Sequence, residues 1–191
     1  MTRGGTYAVT ALCHLGSLVF LRFVYGRDGP ASVGPSWRVI RMPKATHRIF
    51  VLADTHNRLP ENVSAIAKKA DEIWHLGDVC AEMILDELCG LGPRVTIVRG
   101  NCDTVYEWPL VVDLERVGLK FRLQHIPPER SPENIDVVLH GHTHVPRHER
   151  RSGVLFLNPG CVTRPNQGAA ASVAWLELAK GELNWRPVAI R

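Results

Sequence analysis

The 191-residue chain has no CxxC pair, no block of Lys and Arg, no internal repeat and no twenty-residue apolar run. Each absence excludes a class. Five cysteines without pairing motifs argue against a disulfide framework and for a reducing compartment, so a cytoplasmic location is expected. They also provide no thiolate set for a structural zinc site. A helical membrane span needs about 20 apolar residues. The most apolar stretch, residues 8–25, is broken by His14 and Arg22. A secretory signal there would have a basic start at Arg3 but no small-x-small cleavage site at a suitable distance. The formal charge is +4, and Arg3, Arg22, Arg27, Arg38 and Arg41 against Asp28 account for all of it. The remaining 18 basic and 18 acidic residues balance, which leaves no footprint for nucleic acid.

At this length and 45% hydrophobic content, one well-buried core is expected. Residues 26–46 are rich in Gly, Pro, Ser and Arg without periodicity and read as a linker. Residues 1–46 are therefore expected to be a disordered extension or a misassigned start, with translation beginning at Met42. Residues 47–191 form the expected domain. There, short apolar runs alternate with helical patterns: "RIFVLAD", then Pro60–Ala70, "EIWHLGD", then "AEMILDELCGL", then "RVTIVRGN". Strand–helix–strand units of this size predict parallel neighbours. The second half, from "YEWPLVVDLE" to "ELNWRPVAI", reads as strands separated by short turns. The expected architecture is α/β, with two packed sheets and helices outside.

The polar residues at the ends of these strands carry the functional reading. Asp54 and His56 end "FVLADTH", Asp78 ends "IWHLGD", Asn101 follows "IVRG", His125 ends "FRLQH", and His142 and His144 end "VVLHGHTH". Ligands gather beyond the carboxyl ends of strands in open α/β sheets, so groups ninety residues apart can converge. Carboxylate, imidazole and amide oxygen together suit Mn, Zn, Fe or Ni better than Ca or Mg alone. Asp78 could bridge two such ions through its two oxygens, or else cap the following helix. Two cations about 4 Å apart polarise a phosphoryl oxygen and deprotonate a water between them, which fits phosphate-ester hydrolysis. His75 and His140, inside buried runs, are expected to pack or support the site. His47 and His148 are expected to be solvated, Asn158 and Gly160 to shape a turn, and Cys13, Cys80, Cys89 and Cys161 to be structural or incidental.

In that order, "DTH", "GD", "GNCD", the lone His125, "GHTH" and the trailing "NPG" resemble the calcineurin-like metallophosphoesterases, in particular the small YfcE-like phosphodiesterases. The resemblance spans residues 47–180. It implies a four-layer αββα sandwich of two mixed β-sheets, and two divalent metal ions (Mn, Ni, Zn or Fe). One ion would be held by Asp54, His56, Asp78 and His144, the other by Asp78, Asn101, His125 and His142. It further implies a phosphodiesterase acting on a small phosphate ester through a metal-bridging hydroxide. Asp78, Asn101, Cys102 and Asp103 would be the catalytic group, with Asp103 orienting the site. The alternatives are a non-catalytic protein-binding scaffold resembling the retromer subunit, or a monoesterase or nucleotide hydrolase; a homo-oligomer is compatible with each. Two departures matter. Cys102 stands where many relatives have His, which predicts a preference for good leaving groups because a thiol is a poorer acid near neutrality. Ile126 stands where relatives usually have Gly, in a shortened segment that is expected to open the substrate cleft.

Overall fold

A computed structural model describes residues 8–11, 19–22, 46–180 and 182–190. The chain divides into two compact units, Met1–Lys44 and Ala45–Arg191. In the first, β1 (Ala8–Ala11) pairs antiparallel with β2 (Val19–Arg22). The expectations for a linker and for a start at Met42 fall on residues outside those described, apart from Thr46 at the linker's end.

The second unit contains β3 (His47–Leu52), α1 (Glu61–Ala67), β4 (Glu72–His75), α2 (Glu82–Gly90), β5 (Arg94–Ile97), β6 (Val111–Arg116) and β7 (Leu119–Gln124). It continues with β8 (Val137–Leu139), β9 (Arg147–Arg151), β10 (Val154–Asn158), β11 (Ser172–Ala179) and β12 (Glu182–Ala189). Two five-stranded sheets result, ordered β12-β11-β3-β4-β5 and β6-β7-β8-β10-β9. Both are mixed. β3, β4 and β5 run parallel, as the strand–helix–strand pattern predicts, and β11 and β12 add antiparallel to them.

The two-period of a strand explains the layering. In β3, Ile49 and Val51 face the second sheet, whereas Phe50 and Leu52 face the helices. A strand buried on both faces reads as an unbroken apolar run, which is how β3 appears in the sequence. Between the sheets, Trp74 of β4 meets Phe121 of β7 edge to face at 5.4 Å, an arrangement that contributes about 1 kcal/mol beyond burial. On the opposite face, Val63 and Ala67 of α1 and Ile84 and Leu88 of α2 pack on Phe50, Ile73 and Trp175. Pro60 precedes α1 in extended conformation, and the helix ends at Ala67, three residues short of the expected Ala70.

Among the described residues both helices lie on this one sheet. The outer face of the other sheet is roofed by side chains instead. Arg147 and Arg151 stack over Phe156 at 4.8 and 4.5 Å, with Val138 and Val154 beside it. No helix among the described residues is long and apolar enough to cross a membrane.

Candidate metal centre

The carboxyl ends of β3, β4, β5, β7 and β8 open onto one place. Beyond them the loops stay in register. Asp54 N–H donates to the Gly77 carbonyl, His56 N–H to Asp78 and Asn57 N–H to Val79, each at 3.0 Å. The β3–β4 ladder is thereby prolonged past the strands. This positions Asp54 and Asp78 side by side in the interior, 0% and 2% exposed. Gly77 (φ 92°) allows the close approach, since a Cβ there would lie 2.7 Å from the Gly100 nitrogen and 2.8 Å from His125 Nδ1. A Cβ on Gly100 would collide with the Asp78 carboxylate and backbone nitrogen.

Asp78 Oδ1 accepts the Cys102 N–H at 2.9 Å and lies 3.4 Å from His125 Nε2. Burial pushes the Asp78 carboxyl up, but the His125 imidazole and the Cys102 amide outweigh it and hold the group well below the usual carboxylate range. Asp78 does not cap α2; the residue before that helix is Ala81, and it makes no side-chain capping bond. His125 Nδ1–H donates to the Leu76 carbonyl at 2.8 Å, which directs the Nε2 lone pair toward the two carboxylates. The ring is 2% exposed. Its Nε2 and both Asp54 carboxylate oxygens are buried without a hydrogen-bond partner. Burial raises the Asp54 pKa to about 6, against the pull of His125 and His144. Unpartnered, buried acceptors converging in this way are costly unless a cation satisfies them, so the residues present fit a divalent ion. Asp54, Asp78 and His125 offer three donor atoms within 4.8 Å of one another.

The remaining predicted ligands surround this trio. His144 Nδ1–H donates to the Arg164 carbonyl at 2.6 Å, leaving Nε2 at 3.4 Å from Asp54 Oδ1 and 3.3 Å from His56 Nε2. Burial lowers the pKa of His56, which favours the neutral, ligating imidazole. His142 Nδ1–H donates to Asn101 Oδ1 at 2.9 Å, and its ring meets that of His125 edge to face at 5.3 Å. All seven strand-end residues are thus brought to one locus.

Supporting residues lie behind them. Asp103 is buried, and its carboxylate accepts the backbone N–H groups of Asp78, Cys80 and Gly100 at 2.9, 2.8 and 2.7 Å. It holds the loops after β4 and β5 together and is a positioning residue. His75 contacts Thr55 Oγ1 at 3.1 Å, and burial lowers its pKa to about 4. His140 is equally buried, bonded to the Gly141 carbonyl, with its pKa also near 4. Asn158 donates to the Gly141 carbonyl and to Thr143, which secures the turn carrying His142 and His144.

Cys80 lies close to the centre: its Sγ is 3.6 Å from His56 Nδ1, and it groups with His56 and Cys102 as Cys161 does with His56 and His144. Its place two residues past Asp78 is the signal that could have revealed it. His47 is not merely solvated, since its Nε2 bonds Glu72 at 2.8 Å. Cys102 is exposed on the rim; burial and the neighbouring Asp78 carboxylate push its thiol pKa up, and Asn101 donates to its sulfur at 3.4 Å.

The model of the calcineurin-like phosphoesterase superfamily domain matches residues 48–181. Phosphodiesterase YfcE of Escherichia coli K12 is 27% identical over 179 residues, covering 82% of this chain and 88% of that protein. The solved structure of Yfce, a phosphoesterase from E. coli, superposes with a TM-score of 0.61 at 25% identity, covering 75% of this chain and all of that one. Vacuolar protein sorting 29 from Cryptosporidium parvum shares the fold, with a TM-score of 0.60 at 22% identity over 75% of this chain and 97% of that one. The chain belongs to the calcineurin-like phosphoesterase superfamily, on its YfcE-like side.

Proposed function

We propose that this metal-dependent phosphoric ester hydrolase is a phosphodiesterase with a dinuclear centre. One ion would be held by Asp54, His56, Asp78 and His144, the second by Asp78, Asn101, His125 and His142. The observation that carries the reading is the buried, unpartnered set of Asp54 Oδ1, Asp54 Oδ2 and His125 Nε2 facing Asp78. When bound, two divalent cations supply Lewis acidity toward a phosphoryl oxygen and lower the pKa of water. Mn, Ni, Zn and Fe all suit these donors.

The chain's own residues do the rest. Asp78 is held anionic by its neighbours, with Oδ1 already accepting the Cys102 N–H. The neutral Asn101 limits the negative charge that an anionic substrate meets. His142, whose pKa burial lowers, offers a neutral imidazole near neutral pH. Cys102, on the rim beside Asn101, has a raised thiol pKa and is therefore protonated at neutrality. It can hand a proton to a departing alkoxide, though weakly, which favours esters with good leaving groups. The names of YfcE and other phosphodiesterase relatives support diesters over monoesters. Four free cysteines among the described residues suit a cytoplasmic setting.

The test is hydrolysis of bis-p-nitrophenyl phosphate by protein stripped with chelator and reloaded with Mn, Ni or Zn. Activity should return with metal, and Asp78→Ala should lower kcat/KM by about 10²-fold or more. Protein that takes up metal but hydrolyses neither diester nor monoester would instead be a scaffold on this fold.

A further inference from the structure

The cleft that begins at Asn101 and His125 does not stop at the candidate centre. It continues as a cavity of about 380 Å³, within the range of small-molecule sites, past Arg99, Tyr106, Leu110, Val111, Gln124 and Ile126. The wall has a definite chemistry. Tyr106 is 77% exposed, and Leu110, Val111 and Ile126 are also largely open to solvent. Clustered exposed apolar side chains beside a functional centre mark a contact surface. The wall is also held in place. The Arg99 backbone N–H donates to the Pro109 carbonyl at 2.7 Å, and its guanidinium donates to the Tyr106 carbonyl at 2.9 Å. The guanidinium carbon lies 5.0 Å from the Tyr106 ring centroid. Across the cleft, Gln124 Nε2 donates to the Ile126 carbonyl at 2.5 Å. Among the described residues Arg99 forms no ion pair with a carboxylate, so a cation and a flat ring face the opening together.

The geometry points to this cleft as the seat of the non-leaving ester group of the diester, and to a planar aromatic group as its occupant. This rests on the phosphodiesterase reading. A ring seated between Tyr106 and the aliphatic side chains would be stacked and desolvated, while Arg99 would face the anionic phosphoryl end. Two sources share that chemistry, an aryl alcohol and a nucleoside. Ile126, half exposed on the cleft wall, adds apolar surface to it.

The assay uses three diesters that all release p-nitrophenolate from phosphorus and differ in the retained group: methyl, phenyl and thymidine 5′. Rates are normalised to alkaline hydrolysis of each compound. The phenyl ester should exceed the methyl ester in kcat/KM by about tenfold, the size expected of one good aromatic contact. The gain should appear in KM, and Tyr106→Ala and Ile126→Gly should each bring the ratio down severalfold. A further gain with the thymidine ester would identify a nucleobase as occupant; a gain with phenyl alone would identify an aryl group. Equal efficiency on all three, or a ratio insensitive to both substitutions, would overturn the cleft assignment while leaving the phosphodiesterase reading intact. Failure to turn over any of the three would remove both.

Discussion

Seven non-glycine residues in the loops of the candidate centre adopt positive φ: Asp54, His56, Asn57, Asp78, Cys80, His142 and His144, between 42° and 67°. An L-residue in this region costs about 1–2 kcal/mol, and such strain concentrates where function demands a side-chain direction that relaxed backbone cannot deliver. Five of these seven are candidate ligands. His56→Gly should therefore relieve strain, and metal-free variant protein should be more stable to urea by about 1 kcal/mol once the greater entropy of glycine is included. Metal uptake and diester hydrolysis should fall at the same time. A variant less stable than the parent without metal would show that the His144 and Cys80 contacts of His56 outweigh its backbone strain.

At the scale of elements, the centre is a set of loops laced to each other rather than side chains on rigid strands. Asp103 is the knot, since its carboxylate gathers three amides from the loops after β4 and β5, and the Cys102 N–H to Asp78 bond adds a fourth tie between them. Asp103→Asn preserves shape but leaves one acceptor oxygen for three donors. It should cost about 1–3 kcal/mol in denaturation and weaken metal binding by about 10–100-fold in a titration. This lacing also explains what the sequence could and could not show. Apolar runs ending in Asp, His or Asn reveal both the strands and the candidate ligands, because in β3, β4 and β8 burial on two faces forces an unbroken run and the polar residue marks its end. The contacts of Asp103 and Cys80 come from loops that meet across some 25 positions, for which no periodicity exists. His125 is oriented by the Leu76 carbonyl just past β4, an interaction no linear pattern encodes.

Across the whole domain, the two sheets are tied at the end of β4 opposite the centre. Glu72 of β4 accepts both arms of Arg116 of β6, at 2.6 and 2.9 Å, together with the Trp74 indole and His47. Burial pushes the Glu72 carboxyl up, but Arg116, Trp74 and His47 outweigh it and bring the pKa down to about 2 from an ordinary 4.5. A depressed folded-state pKa means that the stabilisation is complete above pH 4.5 and fades as pH falls toward 2. Glu72→Gln should cost about 2–3 kcal/mol at pH 7, with the gap to the parent closing as acid is added. Urea denaturation at pH 7 and pH 3 measures it; a gap independent of pH would mean that shape, not charge, sustains the tie.

β9 lies at the margin of its sheet and is hydrogen-bonded only to β10, and its five residues are Arg147, His148, Glu149, Arg150 and Arg151. An open strand is a template for another chain, and charged side chains along it, three Arg with Glu149 paired to Arg147, disfavour such pairing. Self-association through continuous sheets is thus discouraged on that flank, which leaves β5, β6 and β12 as the other open edges of the two five-stranded sheets.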